Sequence, residues 1–191
     1  MERSFVHKAL VIGAAGYVAI AAFVFLNEGG VVLSSPTVFP KNEGKEDRRL
    51  TIPAIGVDAK IQTVGTMPDG SIGIPSNATD VAWFAGSAPI GTAGTAVVVG
   101  HVDTRVFGAG VFRGLKGLTA GDVIHASIDG RVATYVVTRL EVYPAGTDRM
   151  AEILGIREGA ARLVLITCDG TWDQSVKRYT DRLVVFADRV D

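Results

Sequence analysis

The chain has 191 residues, with 19 basic and 20 acidic side chains, a net charge of −1 and 48% apolar residues. That length suits one domain of ordinary size plus an appendage, and the balanced charge excludes the basic excess of a nucleic-acid binder. A single cysteine, Cys168, excludes an intramolecular disulfide and a cysteine-built zinc cage.

Residues 1–8 carry Arg3 and Lys8 and read as a cytoplasmic N-terminus. Residues 9–26, ALVIGAAGYVAIAAFVFL, contain no charge; as a helix they rise roughly 27 Å, close to the hydrocarbon thickness of a bilayer. No Lys or Arg follows until Lys41, an asymmetry that places the bulk of the chain outside. A cleaved signal peptide would have a shorter apolar core and a small-x-small site after it. None follows Leu26, so an uncleaved transmembrane signal anchor is expected, in a single-pass protein of the cell membrane with its domain extracytoplasmic. Residues 27–49 mix Gly, Ser, Pro, Asn and charge, the composition of a solvated extracytoplasmic stalk.

From Leu50 onward short β-type runs alternate with turn signals. Residues 50–61 predict two short strands with Pro53 at an edge position, and 67–70, MPDG, predicts a turn. A core strand is expected over 95–100. Runs at 123–128 and 132–143 flank Asp129-Gly130, a strong hairpin signal. Two more strands are expected over 163–167 and 182–187. Helical propensity is brief, near 111–118 and 150–156. Residues 50–191 therefore predict a mostly β domain, an antiparallel barrel or sandwich of about eight strands with little helix.

Two of the apolar runs stop on reactive residues. AVVVGH over 96–101 ends on His101, and LVLITC over 163–168 ends on Cys168. Cysteine reacts as the thiolate and needs a cation or donor nearby. An unpaired cysteine outside the cell risks oxidation, so its retention there points to use rather than to a buried small hydrophobe. Of the other histidines, His7 lies on the wrong side of the membrane segment, and His125 sits in mid-strand as a surface or cross-strand residue. His101 stands where a strand meets a loop, where an imidazole can be aimed; Asp103 would orient it or serve its turn. Acyl transfer also needs positive charge at the developing oxyanion, a role that arginine fills at any working pH. Arg182, fourteen residues after Cys168, heads the run LVVFA; Arg178, four residues earlier, is its rival.

The order of these fragments resembles the sortase family, the membrane-anchored cysteine transpeptidases of Gram-positive bacteria. AVVVGH resembles the histidine segment and LITC the nucleophile motif, with 67 residues between His101 and Cys168. FRGLKGLTAGD over 112–122 resembles the segment after the histidine, and IPAIGVDAKI over 52–61 resembles the opening strands. The single anchor and compact domain are most similar to the class F group of actinobacteria. That group often has Arg-Asp-Asn before its last apolar run, where this chain has Thr180-Asp181-Arg182; Thr180 and Arg182 share a strand face.

The resemblance implies an eight-stranded sortase-type β-barrel and a Cys-His-Arg triad, carried over to Cys168, His101 and Arg182. It implies cleavage of an LPxTG-like sorting motif between Thr and Gly in other exported proteins. The acyl group passes through a thioacyl-enzyme to an amine of a peptidoglycan precursor. No cofactor and no metal enter, and no acidic loop matches a calcium cluster. L,D-transpeptidases, with His much closer to Cys, and papain-type amidases, with Cys before His, disagree with the order and gap. The alternative from another class is a non-catalytic membrane-tethered β-barrel that binds peptide or cell-wall polymer, with an inert, buried Cys168.

Overall fold

The computed structural model describes residues 26–27, 30–31, 48–104, 108–146, 153, 155 and 159–191. The chain divides into two units, Met1–Glu43 and Gly44–Asp191. In the first, Leu26–Asn27 pairs with Gly30–Val31 in an antiparallel ladder. The expected membrane segment lies outside the described residues except for Leu26, and so does most of the stalk. Among the described residues no helix is long and apolar enough to cross a membrane.

The second unit is a closed barrel. Its strands are β1 (Arg49–Ile52), β2 (Val57–Val64), β3 (Val81–Phe84), β4 (Gly94–Gly100), β5 (Val123–Ile128), β6 (Arg131–Pro144), β7 (Ala161–Asp173) and β8 (Arg178–Arg189). Around the barrel they run β6-β8-β7-β4-β3-β2-β1-β5, and β5 closes on β6. The expectation of an antiparallel sheet is corrected at two seams, since β4 pairs with β7 and β2 with β3 in parallel. Parallel neighbours need long crossover connections, and the residues between β2 and β3 and between β4 and β7 supply them.

Local chemistry explains the other departures. Pro53 begins a one-turn 3-10 helix, Pro53–Ile55, rather than an edge strand. Its fixed φ suits a first helical position, where no amide hydrogen is needed. Asp129 and Gly130 take φ of 50° and 80°, the mirror-image turn that joins β5 to β6. The expected helix at 111–118 is a series of turns around Leu115–Gly117. Phe112, Leu115 and Leu118 recur every third residue there and are all buried, so the segment closes one mouth of the barrel. The expected helix at 150–156 lies mostly outside the described residues, and β3 went unread because VAWF is only four residues long.

Strand alternation divides the apolar side chains into two clusters. Leu163, Leu165, Ala96, Val98, Leu183 and Val185 point into the barrel beside Phe112. Val164, Ile166, Val97, Val99, Val184 and Phe186 point outward into a second cluster that includes Tyr143 and Ile153. Both faces of β4, β7 and β8 are therefore covered. Their near-continuous apolar runs follow from that double burial.

Candidate active site

Cys168 lies directly opposite Arg182 in the β7–β8 ladder. Facing residues of an antiparallel pair carry side chains ~5 Å apart on the same face. Alternation puts Cys168 and Arg182 on the outward face, with Ile166 and Val184. The parallel β4–β7 register runs to Val99 opposite Ile166. Two residues further, His101 leaves β4 beside Cys168, with the parity of Val97 and Val99. Three distant segments thus bring sulfur, imidazole and guanidinium to one edge of the outer face. Arg178 is not part of this grouping. It stands exposed at the start of β8 opposite Asp173, ~14 Å along the strand from Arg182 at ~3.4 Å per residue.

Each group is held by its own contacts. Buried Thr167 donates from Oγ1 to the Gly100 carbonyl at 2.9 Å, tying the cysteine strand to the histidine strand one residue before each reactive side chain. His101 Nε2 lies 3.0 Å from the Pro75 carbonyl oxygen. A carbonyl only accepts, so in this contact Nε2 carries the hydrogen and donates. Arg182 donates from Nη1 to the carbonyls of Asp181 at 2.7 Å and Tyr179 at 3.3 Å, which leaves further guanidinium donors to face a substrate.

Two glycines permit the histidine's position. A Cβ on Gly110 would lie 2.3 Å from the His101 carbonyl oxygen and 2.8 Å from its Cβ, and one on Gly100 would lie 2.5 Å from the Phe112 ring. The returning loop therefore packs flat on the His101 backbone, and the Phe112 amide donates to the His101 carbonyl at 2.9 Å.

Asp103, which the sequence leaves open between orienting His101 and serving its turn, is bonded to another partner. Its Oδ2 accepts a hydrogen bond from Tyr179 Oη, a bond that raises the tyrosine's pKa. Tyr179 also meets Trp172 edge to face, with ring centroids 5.3 Å apart. Neither Pro75 nor Tyr179 was legible as a site residue, because nothing in their local sequence marks the long-range partner.

Burial is the chief influence on the Cys168 thiol and pushes its pKa up; Arg182 opposes this, and the Asp103 carboxylate adds to it. The cation required by thiolate chemistry is present, yet desolvation outweighs it. Beside Cys168 opens a cleft of about 370 Å³. Its lining includes Phe112, Thr167 and Leu183, so it lies on the barrel-mouth side of the sulfur, away from the outward face that carries Arg182.

A closed eight-stranded barrel with a half-buried thiol set against an arginine defines a cysteine acyl-transfer scaffold. The family comparison agrees: the sortase domain matches residues 50–190, and the chain belongs to the sortase family of cysteine transpeptidases. Sortase A from Corynebacterium diphtheriae, as a lid mutant, superposes with a TM-score of 0.58 at 25% identity over 75% of this chain and 69% of that one. Sortase C-1 from Actinomyces oris gives 0.59 at 24% identity over 75% and 73% of the two chains. The sortase D5 transpeptidase of Clostridium perfringens gives 0.58 at 20% identity over 76% and 79%. The last two likenesses are of fold alone. No curated protein matches the chain.

Proposed function

We propose that Cys168, His101 and Arg182 are the catalytic residues of this sortase, and that it cleaves an LPxTG-like sorting motif between Thr and Gly. The observation that carries this reading is the pairing of Cys168 with Arg182 on one outward face, with His101 on the adjacent strand end. The Cys168 thiolate attacks the Thr carbonyl carbon and Arg182 donates to the oxyanion that forms. His101, as imidazolium, gives its proton to the departing glycine amine. A thioacyl-enzyme results, and an amine from a peptidoglycan precursor resolves it.

The uncharged residues 9–26 favour a single-pass membrane anchor with the barrel extracytoplasmic, in a Gram-positive-type bacterium. The single anchor and compact domain favour the class F group. The test is cleavage of a small panel of sorting peptides by the full chain and by Cys168→Ala. Cleavage by the parent and none by the variant, with an unchanged circular dichroism spectrum, is expected. Turnover retained in Cys168→Ala would remove the nucleophile assignment.

A further inference from the structure

The loop that offers its Pro75 carbonyl to His101 is itself bonded in one direction. Pro75 and Ser76 share a peptide unit whose C=O and N–H point opposite ways. Its oxygen lies 3.0 Å from His101 Nε2, and its N–H donates to Gln62 Oε1 at 3.1 Å. The Gln62 amide then donates from Nε2 to Asp80 Oδ2 at 2.9 Å. The row runs imidazole, peptide, side-chain amide, carboxylate. Every donor in it points away from the ring and toward Asp80.

The fold explains why these groups meet. Gln62 stands on β2 opposite Ala82 of its parallel neighbour β3, so its amide reaches the end of the loop that leads into β3. Asn77 closes that loop on itself. Its Oδ1 accepts from the Thr79 and Asp80 amides at 3.0 and 2.8 Å, and its Nδ2 donates to Asp80 Oδ2 at 2.8 Å. The Val111 amide donates to the Ala78 carbonyl at 2.8 Å, which fastens the loop to the segment after His101. Pro75 is buried, Gln62 and Asp80 are half-buried, and only Ser76 is exposed.

Hydrogen bonds aligned in this way polarise one another. The negative charge on Asp80 draws the Gln62 amide hydrogens and makes Gln62 Oε1 a better acceptor. The Pro75 oxygen gains in turn, and it holds the Nε2–H of His101. We infer that Asp80 and Gln62 are positioning residues for His101, acting through the Pro75–Ser76 peptide to hold the imidazole in the orientation that acyl transfer uses. This deepens the proposed function and rests on it. Neither residue touches the reacting atoms.

Three forms of the full chain in detergent test this: the parent, D80N and Q62E. Asparagine at 80 keeps an oxygen for Gln62 and Asn77 and removes only the charge. Glutamate at 62 keeps the acceptor for Ser76 but has no hydrogen to give Asp80. In D80N, kcat for sorting-peptide cleavage should fall about fivefold, with KM and melting temperature unchanged. Q62E should lose at least as much. The His101 Nε2–H proton resonance, assigned by its absence in H101A, should move upfield in both variants as its bond to Pro75 weakens. Unchanged kcat in both variants overturns the inference. So does a kcat that falls together with the melting temperature while the resonance stays in place. A chain that cleaves no sorting peptide overturns the proposed function instead, and the resonance then decides the relay alone.

Discussion

Cys168 and Arg182 face each other across one rung of the β7–β8 ladder, and the Arg182 guanidinium is steadied by two carbonyls of its own strand start. A ladder partner cannot drift far from its opposite residue without breaking the backbone hydrogen bonds on either side. The relationship places Arg182, and not Arg178, opposite the sulfur, which spacing alone could not show.

Arg182→Gln should lower kcat for sorting-peptide cleavage about a hundredfold or more, the usual cost of losing one oxyanion donor. Arg178→Gln, at an exposed position opposite Asp173, should stay within about threefold of the parent, as surface changes do. Steady-state kinetics on both variants gives the ranking. The reverse order would move the oxyanion role to Arg178.

His101→Ala should reduce kcat by ~10²–10⁴, the range for a general acid–base group, with little change in thermal stability. An added small imidazole should restore part of the rate. Full activity without the ring would exclude His101 from proton transfer.

The thiol's titration has a sign that can be checked. Burial raises the Cys168 pKa, Arg182 lowers it and Asp103 raises it. The thiolate is the charged form, so removing the Asp103 charge favours it. Asp103→Asn keeps an acceptor for Tyr179, and its iodoacetamide-labelling midpoint should move to lower pH. Tyr179→Phe leaves the charge in place and should bring no such drop, whereas Arg182→Gln should move the midpoint up. Labelling of the parent should be slow in mild acid and rise with pH, and a midpoint below that of glutathione would contradict the dominance of burial.

Gly110→Ala should destabilise the domain by ~1–3 kcal/mol, because the new methyl meets the His101 carbonyl oxygen at 2.3 Å. Activity should fall further than stability, since the backbone that must yield carries His101. Thermal melting and peptide cleavage on the same variant separate the two effects. A neutral substitution would show that the loop is free to move off His101.

Most of the strands were readable because each property lies within a few residues. An apolar run over 163–168 or 96–101 and the turn at Asp129-Gly130 are local signals, and chain order with the 67-residue gap carried the family likeness of Cys168 and His101. Local signals left barrel or sandwich open and only the family likeness implied the barrel; the two parallel seams and the register were not readable, because hydrogen-bond partners 60 or more residues apart, such as Thr167 and Gly100, leave no local trace. The same reason hid the Asp103–Tyr179 bond, the Pro75 carbonyl at His101 and the fact that Arg182, not Arg178, stands opposite Cys168. The sign of the thiol's pKa shift also belongs to tertiary structure: a neighbouring cation can be guessed from residue types, whereas desolvation depends on what the folded chain packs around the sulfur.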